Sequence, residues 1–387
     1  MRNLSIYISI CCWLFAGSLI GQTNWFVKSD APATGAGSDW NSATSLSKAL
    51  DMAVDGDIIH LTAGIYVPEV LLTNGTEERD KCFEIKSNIT LKGGYSAITP
   101  EQHPVDPVNY KTVLSGNLGS ENAYHVIAIT APKTAGRSVT LQGITIRDGV
   151  CNGTGNVTIG ESVFSRNYGA GLFATNANID LIQCWVTNNQ GTANVGCWFK
   201  NVHLNMSDSE FSKNTALNGQ TGGMYLFSSV LNMERCKVAE NVCTKGNATG
   251  LYLYSSKGVI NESVISNNEA SGVAAGIQLY SSAYLYLYNS TVSGNKAGQT
   301  AAGGIYVRTK SYLQVCNSTI FGNTVGKGGN AGAIALHDAS RVDVISSTIT
   351  GNTSSDPTKT GGIYLNVGCY ASLYNTILSG NAPECGG

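Results

Sequence analysis

"GGIYVRTKSYLQVCNSTIFGN" occupies Gly303–Asn323, and "GGIYLNVGCYASLYNTILSGN" occupies Gly361–Asn381. The two stretches share their opening glycines, the Ile-Tyr that follows, and the close on a small residue, an apolar residue and Asn. Self-similarity at a period of a few tens of residues is the mark of a repeat architecture, in which each unit buries its apolar face against its neighbours. Anchored on the closing Asn, the unit recurs nine times, at Asn167, Asn189, Asn214, Asn241, Asn268, Asn295, Asn323, Asn352 and Asn381. The steps are 22, 25, 27, 27, 27, 28, 29 and 29 residues. Five residues before each Asn stands Ser, Cys or Thr, as at Ser162, Cys184, Cys236 and Thr376; three before stands a bulky apolar residue such as Phe211, Ile265 or Leu378.

The front of the unit is as regular. Gly171, Gly196, Gly223 and Gly250 precede their Asn by 18 residues; Gly276, Gly304, Ala333 and Gly362 precede theirs by 19. The extra residue falls in the turn between the first and second strands. The gap from each Asn to the next small residue varies from 4 to 10, so each unit is a fixed body plus one variable turn. Within the body, apolar residues alternate: Met224 with Leu226, then Leu231 with Met233, then the small–x–apolar pair before Asn. Period-two alternation predicts half-buried strands, three per unit. Stacked at about 4.8 Å, nine units stand roughly 40 Å tall. The fold class is therefore all-β, a parallel solenoid with three strands per coil. Asn suits a sharp left-handed corner, and its amide can bond to the Asn above and below. Asn189, Asn214, Asn241, Asn268, Asn295, Asn323 and Asn352 are thus expected to form a structural ladder.

Bulk properties narrow the function. The 387 residues carry a net charge of −2 and only 13% charged residues, which argues against a nucleic-acid partner or attraction to an anionic membrane. Residues 1–21 read as a signal peptide: Arg2, then the apolar "YISICCWLFAGSLIG", then polar sequence from Gln22. That run is short for a membrane span, so no integral membrane domain is expected. Without Cys11 and Cys12, nine cysteines remain, none spaced as Cys-x-x-Cys; neither a disulfide framework nor a metal site is expected, and no cofactor motif is present.

"FSRN" (Phe164–Asn167) and "FSKN" (Phe211–Asn214) resemble the Phe-x-x-Asn half of the polymorphic outer membrane protein repeat, and "AGAI" (Ala331–Ile334) with the "GGIY" copies resembles its Gly-Gly-Ala-Ile half. More broadly, roughly residues 24 to 387 resemble the right-handed parallel β-helix proteins of the pectin-lyase-like fold. The resemblance implies the fold and export, to the cell exterior or a bacterial outer-membrane surface. It is nearly silent on activity, and no translocating β-barrel or surface-sorting tail follows the repeats.

Residues 22–66 are read as an N-terminal cap and first strand. Leu46, Ala49, Leu50 and Ala53 have helical spacing, with Ser42 or Asn41 as N-cap. Residues 67–387 form the β-helix, with excursion loops at Ser96–Asn109 and Glu77–Lys81. The sequence stops six residues after Asn381 without a recognisable cap, the pattern of a fragment.

Enzymes of the pectin-lyase-like fold use clustered carboxylates or a basic proton acceptor beside a charge-neutralising group. Acids are scattered through these repeats. Four residues after the unit glycine, Tyr280, Arg308, His337 and Asn366 align as one column, with Asp338 beside His337. Tyr280, Arg308, His337 and Asp338 are the candidate catalytic group of a lyase or hydrolase reading. Two residues after the glycine lie Trp198, Tyr225, Tyr252, Tyr306 and Tyr364; Phe227, Tyr254 and Tyr280 lie two further on. Strand alternation puts these outside the coil, as an aromatic face suited to stacking on sugar rings or simply to stabilising the sheet. The expectation is a non-catalytic, adhesin-like protein with glycan as partner. A polysaccharide lyase or hydrolase is the alternative, and an architectural stalk the third reading.

Overall fold

The repeats that close on Asn189 to Asn381 each fold into one coil, and strands of successive coils pair in parallel, in a computed structural model that describes residues 22–246 and 250–383. The first expected repeat, closing on Asn167, does not, because its Ser162–Ser165 pairs antiparallel with Asn156–Ile159. The expected signal peptide, residues 1–21, and Cys385 lie outside the described residues. Three long faces run along the stack. Face I holds ten strands, from Phe83–Ile85 to Ile363–Leu365. Face II holds twelve, from Asn24–Val27 to Tyr370–Tyr374, and face III eleven, from Gly64–Tyr66 to Ile377–Ser379. These are the three strands that the alternation predicts. Face IV is additional: eight two-residue strands among the described residues, from Val150–Cys151 to Thr353–Ser354, the first after Gly149 and the other seven directly after a ladder Asn. Two residues are too few to register as an alternation. An antiparallel hairpin, Asn156–Ile159 with Ser162–Ser165, lies outside the coils and packs Val157 and Phe164 against Phe173 of face I.

Register is constant across the repeats. Met224 pairs with Leu251, Leu251 with Ile277, Ile277 with Ile305 and Ile305 with Ile334. Inward positions therefore stack like on like, and one buried apolar cluster runs from Val27 to Ile349. Each buried Leu or Ile in it contributes roughly 1.5–3 kcal/mol.

The corners explain the rest of the pattern. Asn189, Asn214, Asn241, Asn268, Asn295, Asn323, Asn352 and Asn381 are buried, and each Nδ2 donates to the next Oδ1 at 2.9–3.0 Å. The other N–H goes to a backbone carbonyl, as from Asn268 to Val238 O, and each Oδ1 also accepts the preceding Asn backbone N–H. The left-handed backbone is not at these Asn residues but one position earlier: Lys213 has φ 57°, Glu240 56°, Asn267 54° and Gly294 63°. Asn is thus selected for its two-sided amide rather than for its backbone tolerance. Serine ladders line the other two corners. Ser263 Oγ accepts Cys236 N and Ser290 Oγ accepts Ser263 N, while Ser229 Oγ accepts Val202 N and Ser256 Oγ accepts Ser229 N. Where the unit lengthens by one, a single left-handed residue at that corner (Ser255) becomes two (Ser281 and Ser282). The insertion is absorbed between the first and second strands.

One helix, Leu46–Met52, covers the front end with Leu46, Ala49 and Leu50 buried. Its N-cap is Ser45, whose hydroxyl accepts Lys48 N, not Ser42 or Asn41. Those two are engaged elsewhere, because Asp39 takes both their backbone N–H groups and the Ser42 hydroxyl. The charged run at Glu77–Lys81 is pinned: Asp80 is buried and grips Arg166, 2.7 Å away, whose guanidinium also reaches Glu77.

Candidate functional site

Face I places its second-position side chains outside the coil, yet it does not leave them bare. Tyr225 is 8% exposed, Tyr252 4% and Tyr306 6%. The expectation of a solvent-exposed aromatic column fails for these three. Variable turns fold back over Tyr306, where Ala301, Ala302 and Ala331 pack with it and Ala335 in one apolar cluster, while Tyr225 and Tyr252 pack with each other and with Trp198, Phe227, Tyr254 and Tyr280. The turns even pair coil to coil, through bridges Ala274–Ala302, Ala302–Ala331 and Ala331–Thr360. Tyr225 and Tyr252 meet edge to face at 4.9 Å. Trp198 and Tyr364, at the two ends of the column, remain half-buried.

The fourth-position rank is the one that reaches solvent. Lys200 is exposed, and Phe227, Tyr254, Tyr280, Arg308, His337 and Asn366 are half-buried. Phe227 and Tyr254 stack at 5.0 Å with an interplanar angle of 20°, and Tyr254 meets Tyr280 at 5.0 Å, edge on. The Arg308 guanidinium lies 4.1 Å from the Tyr280 centroid and 5.7 Å from that of Tyr306. Lys200 sits over Phe227 at 5.9 Å and Lys359 over Tyr364 at 5.2 Å. Cations over ring faces are held by the ring quadrupole. Among the described residues none of the three has an acidic partner within ion-pair distance. Arg308 Nε and Gln278 Oε1 are buried without a hydrogen-bond partner.

The four candidate catalytic residues are brought to one corner, but not as a proton-transfer group. Both His337 ring nitrogens are taken, Nε2 with the Asn330 amide at 2.8 Å and Nδ1 with the Asn366 amide at 3.1 Å. A neutral imidazole has one donor and one acceptor nitrogen, so one of these amides presents its oxygen. Burial holds the His337 pKa below its ordinary value; Asp338 opposes this, while Arg308 and Lys359 reinforce it. Asp338 occupies the left-handed corner, φ 55°, and accepts from Thr309 Oγ1 at 3.3 Å. No hydrogen bond joins it to His337 among the described contacts.

Three members of this surface escaped the sequence reading. Asn330 and Lys359 come from variable turns, and Tyr168, stacked on Trp198 at 6.1 Å and 11°, comes from the turn after Asn167. Their distance from the strand differs from unit to unit, so no fixed offset marks them.

Comparison with known proteins supplies a family description. The model for "Right handed beta helix region" matches residues 127–292 and 200–382. No curated protein matches the sequence. Among solved structures, pectate lyase Pel9A is 13% identical, with 95% of this chain and 82% of that one covered and a TM-score of 0.40. The A-module of the Azotobacter vinelandii mannuronan C-5 epimerase AlgE6 is 12% identical, with 86% and 92% covered and a TM-score of 0.36. A Yersinia enterocolitica family 28 exopolygalacturonase is 12% identical, with 92% and 79% covered and a TM-score of 0.25.

Proposed function

The chain belongs to the right-handed β-helix family, and on that premise we propose that it is an exported, non-catalytic glycan-binding protein that acts outside the cell. The half-exposed rank Phe227–Tyr254–Tyr280–Arg308 on face I carries the reading. Ring faces spaced by the coil rise give an extended glycan a run of apolar platforms for its C–H faces. Rings whose backs are packed lose little conformational freedom on binding. Three unpaired cations beside the rings, Lys200, Arg308 and Lys359, suit a sugar that carries a carboxylate or sulfate. His337, with both nitrogens engaged, is poorly placed to abstract a proton, which favours binding over cleavage.

The test is electrophoresis of the native protein through gels cast with neutral or acidic polysaccharides, beside Tyr254→Ala/Tyr280→Ala and Arg308→Gln variants. Retardation in an acidic polymer, reduced at least five-fold in affinity by either change at unaltered melting temperature, is the expected result. Retardation that both variants retain would remove face I as the site. A cleared zone in the gel would favour the lyase or hydrolase reading. Export rests on the apolar stretch Tyr7–Gly21 after Arg2; N-terminal sequencing of secreted protein should begin at Gln22.

A further inference from the structure

Face II carries a different surface on the same coils, and its third positions from Asp180 to Gln314 are exposed or half-buried. The third position of each strand forms a straight rank by register: Asp180, Asn205, Asn232, Val259, Tyr286 and Gln314. At one end the rank is an amide run. Asn205 Nδ2 donates to Asp180 Oδ1 at 2.8 Å, and Asn232 Nδ2 donates to Asn205 Oδ1 at 2.9 Å. Each amide gives one N–H to its neighbour and keeps the other free, and Asn232 keeps its carbonyl as well. The run lines an open depression of about 600 Å³ that ends at Val259 and Asn261.

Beyond Val259 the surface rises into tyrosines. Tyr286 and Tyr288 stack at 6.4 Å and 14°, Tyr312 meets Tyr286 edge on at 6.0 Å, and Tyr284 is 40% exposed. These rings are fixed from behind. Tyr288 Oη donates to Gln314 Oε1 at 3.1 Å and Tyr312 Oη donates to Asp343 Oδ2 at 2.8 Å. Charge nearly cancels, with Asp180, Glu234 and Asp343 against Lys257 and Arg341 on the strands of this stretch. Arg341 is already paired with Asp343 at 2.9 Å.

We infer that this face is a second binding site, for an uncharged, extended polysaccharide of β-linked hexoses. The amide run supplies donors and an acceptor for ring hydroxyls, and the tyrosines supply platforms for the C–H faces of the next sugars. From Asp180 to Asp343 the rank is straight for about 29 Å, long enough for several residues of a chain that does not coil. Arg341 is paired and Lys257 is the one unpaired cation among the described residues of these strands, with no cation seated over a ring as on face I, which separates the ligand from the one that suits face I. A protein partner fits less well, because the apolar residues of this face, Val230, Val259 and the tyrosines, are interleaved with Asn232, Lys257, Asn261 and Gln314 and do not form the uncharged apolar core a protein interface needs.

The site is tested in gels cast with hydroxyethylcellulose or polygalacturonate, with Tyr286→Ala and Asn205→Ala proteins beside Tyr280→Ala. The native protein should be retarded by hydroxyethylcellulose. Tyr286→Ala and Asn205→Ala should each weaken that retardation about five-fold or more at unchanged melting temperature, whereas Tyr286→Phe and Tyr280→Ala should not. Lack of retardation by hydroxyethylcellulose, or retardation that survives both face II substitutions, overturns the inference. Loss on Tyr280→Ala alone would place the neutral polymer on face I and overturn it equally. If Tyr286→Ala misfolds, Asn205→Ala with Tyr284→Ala decides. Behaviour in polygalacturonate reports on face I separately, so either reading can fail without the other.

Discussion

Replacing Asn268 by Ala should leave two donors of Asn241, its backbone N–H and Nδ2, without their shared acceptor Asn268 Oδ1, and leave Val238 O without its donor. All of these groups are buried, so no water takes the lost places. A destabilisation on the order of 3 kcal/mol is expected, read as a fall in the urea midpoint with an unchanged slope; a loss under 1 kcal/mol would mean that the ladder merely accompanies the fold. The residue before the ladder behaves oppositely. Glu240 holds φ 56°, where later coils place Gly294, Gly322 and Gly351. Its carboxylate reaches only Lys213, at 3.8 Å on the surface, a pair of little worth. Glu240→Gly should therefore stabilise by roughly 1 kcal/mol, and Glu240→Val should destabilise. The recurrence of Asn was plain in the sequence, but its reason was not. Lys213, Glu240, Asn267 and Gly294 share a backbone state and no side-chain chemistry, so the true corner residue leaves no consensus to read.

Among the elements, strand positions were legible because inward and outward residues alternate whatever the outward ones are. That alternation says which side of a sheet a residue is on; it does not say whether another segment lies over that side. The Ala-rich turns that bury Tyr306 look like filler in the sequence, which is why the aromatic face was read as more open than it is. The same limit hid the docking of the Glu77–Lys81 segment onto Arg166 and Tyr124. His125, just before the face I strand Ile127–Ile129, lies beneath these attachments: it is buried, its Nδ1 meets Gly169 O at 3.1 Å, and Nε2 has no partner. Burial pulls its pKa down to about 4. A folded-state value below the unfolded one near 6.5 means that the unfolded chain binds the extra proton. The stabilisation is complete above about pH 6.5 and drains away as pH falls toward 4, by roughly 3 kcal/mol from this group. Urea midpoints at pH 7 and pH 4.5 should differ for the native protein and differ much less for His125→Gln; an equal drop in both would assign the acid sensitivity to other groups. Asp80→Asn, which leaves Arg166 with only the exposed Glu77 as counter-charge, should destabilise by about 2 kcal/mol at neutral pH.

At the scale of the whole molecule, the stack behaves as a sum of coils and of the interfaces between them, and its period permits a clean test. Asn214 and Asn241 are 27 residues apart and directly bonded in the ladder. Removing Thr215–Asn241 joins Asn214 to Val242, the residue that pairs with Thr215 in the next coil. Every inward position then meets an equivalent one, Cys197 against Leu251 and Leu204 against Gly258, and the ladder closes from Asn214 to Asn268. The cross-coil ion pairs Asp208–Arg235, Glu210–Lys237 and Lys213–Glu240 are lost, but they are surface pairs worth little each. The shortened protein should keep its far-UV signal per residue, unfold cooperatively and melt only a few degrees lower. A deletion of Thr215–Leu226 removes fewer residues, yet it feeds face I sequence into face IV and breaks the ladder's phase; it should not fold. Failure of the in-phase deletion to fold would show that the coils are not interchangeable, and that stability is concentrated in particular rungs rather than spread along the stack. Because that coil also carries Phe227 and Asn232, one on each proposed binding face, the folded deletion should be weakened toward both acidic and neutral polymers while Tyr280, Arg308 and Tyr286 remain in place. A shortened protein bound as tightly as the native one would show that recognition on both faces does without the deleted coil.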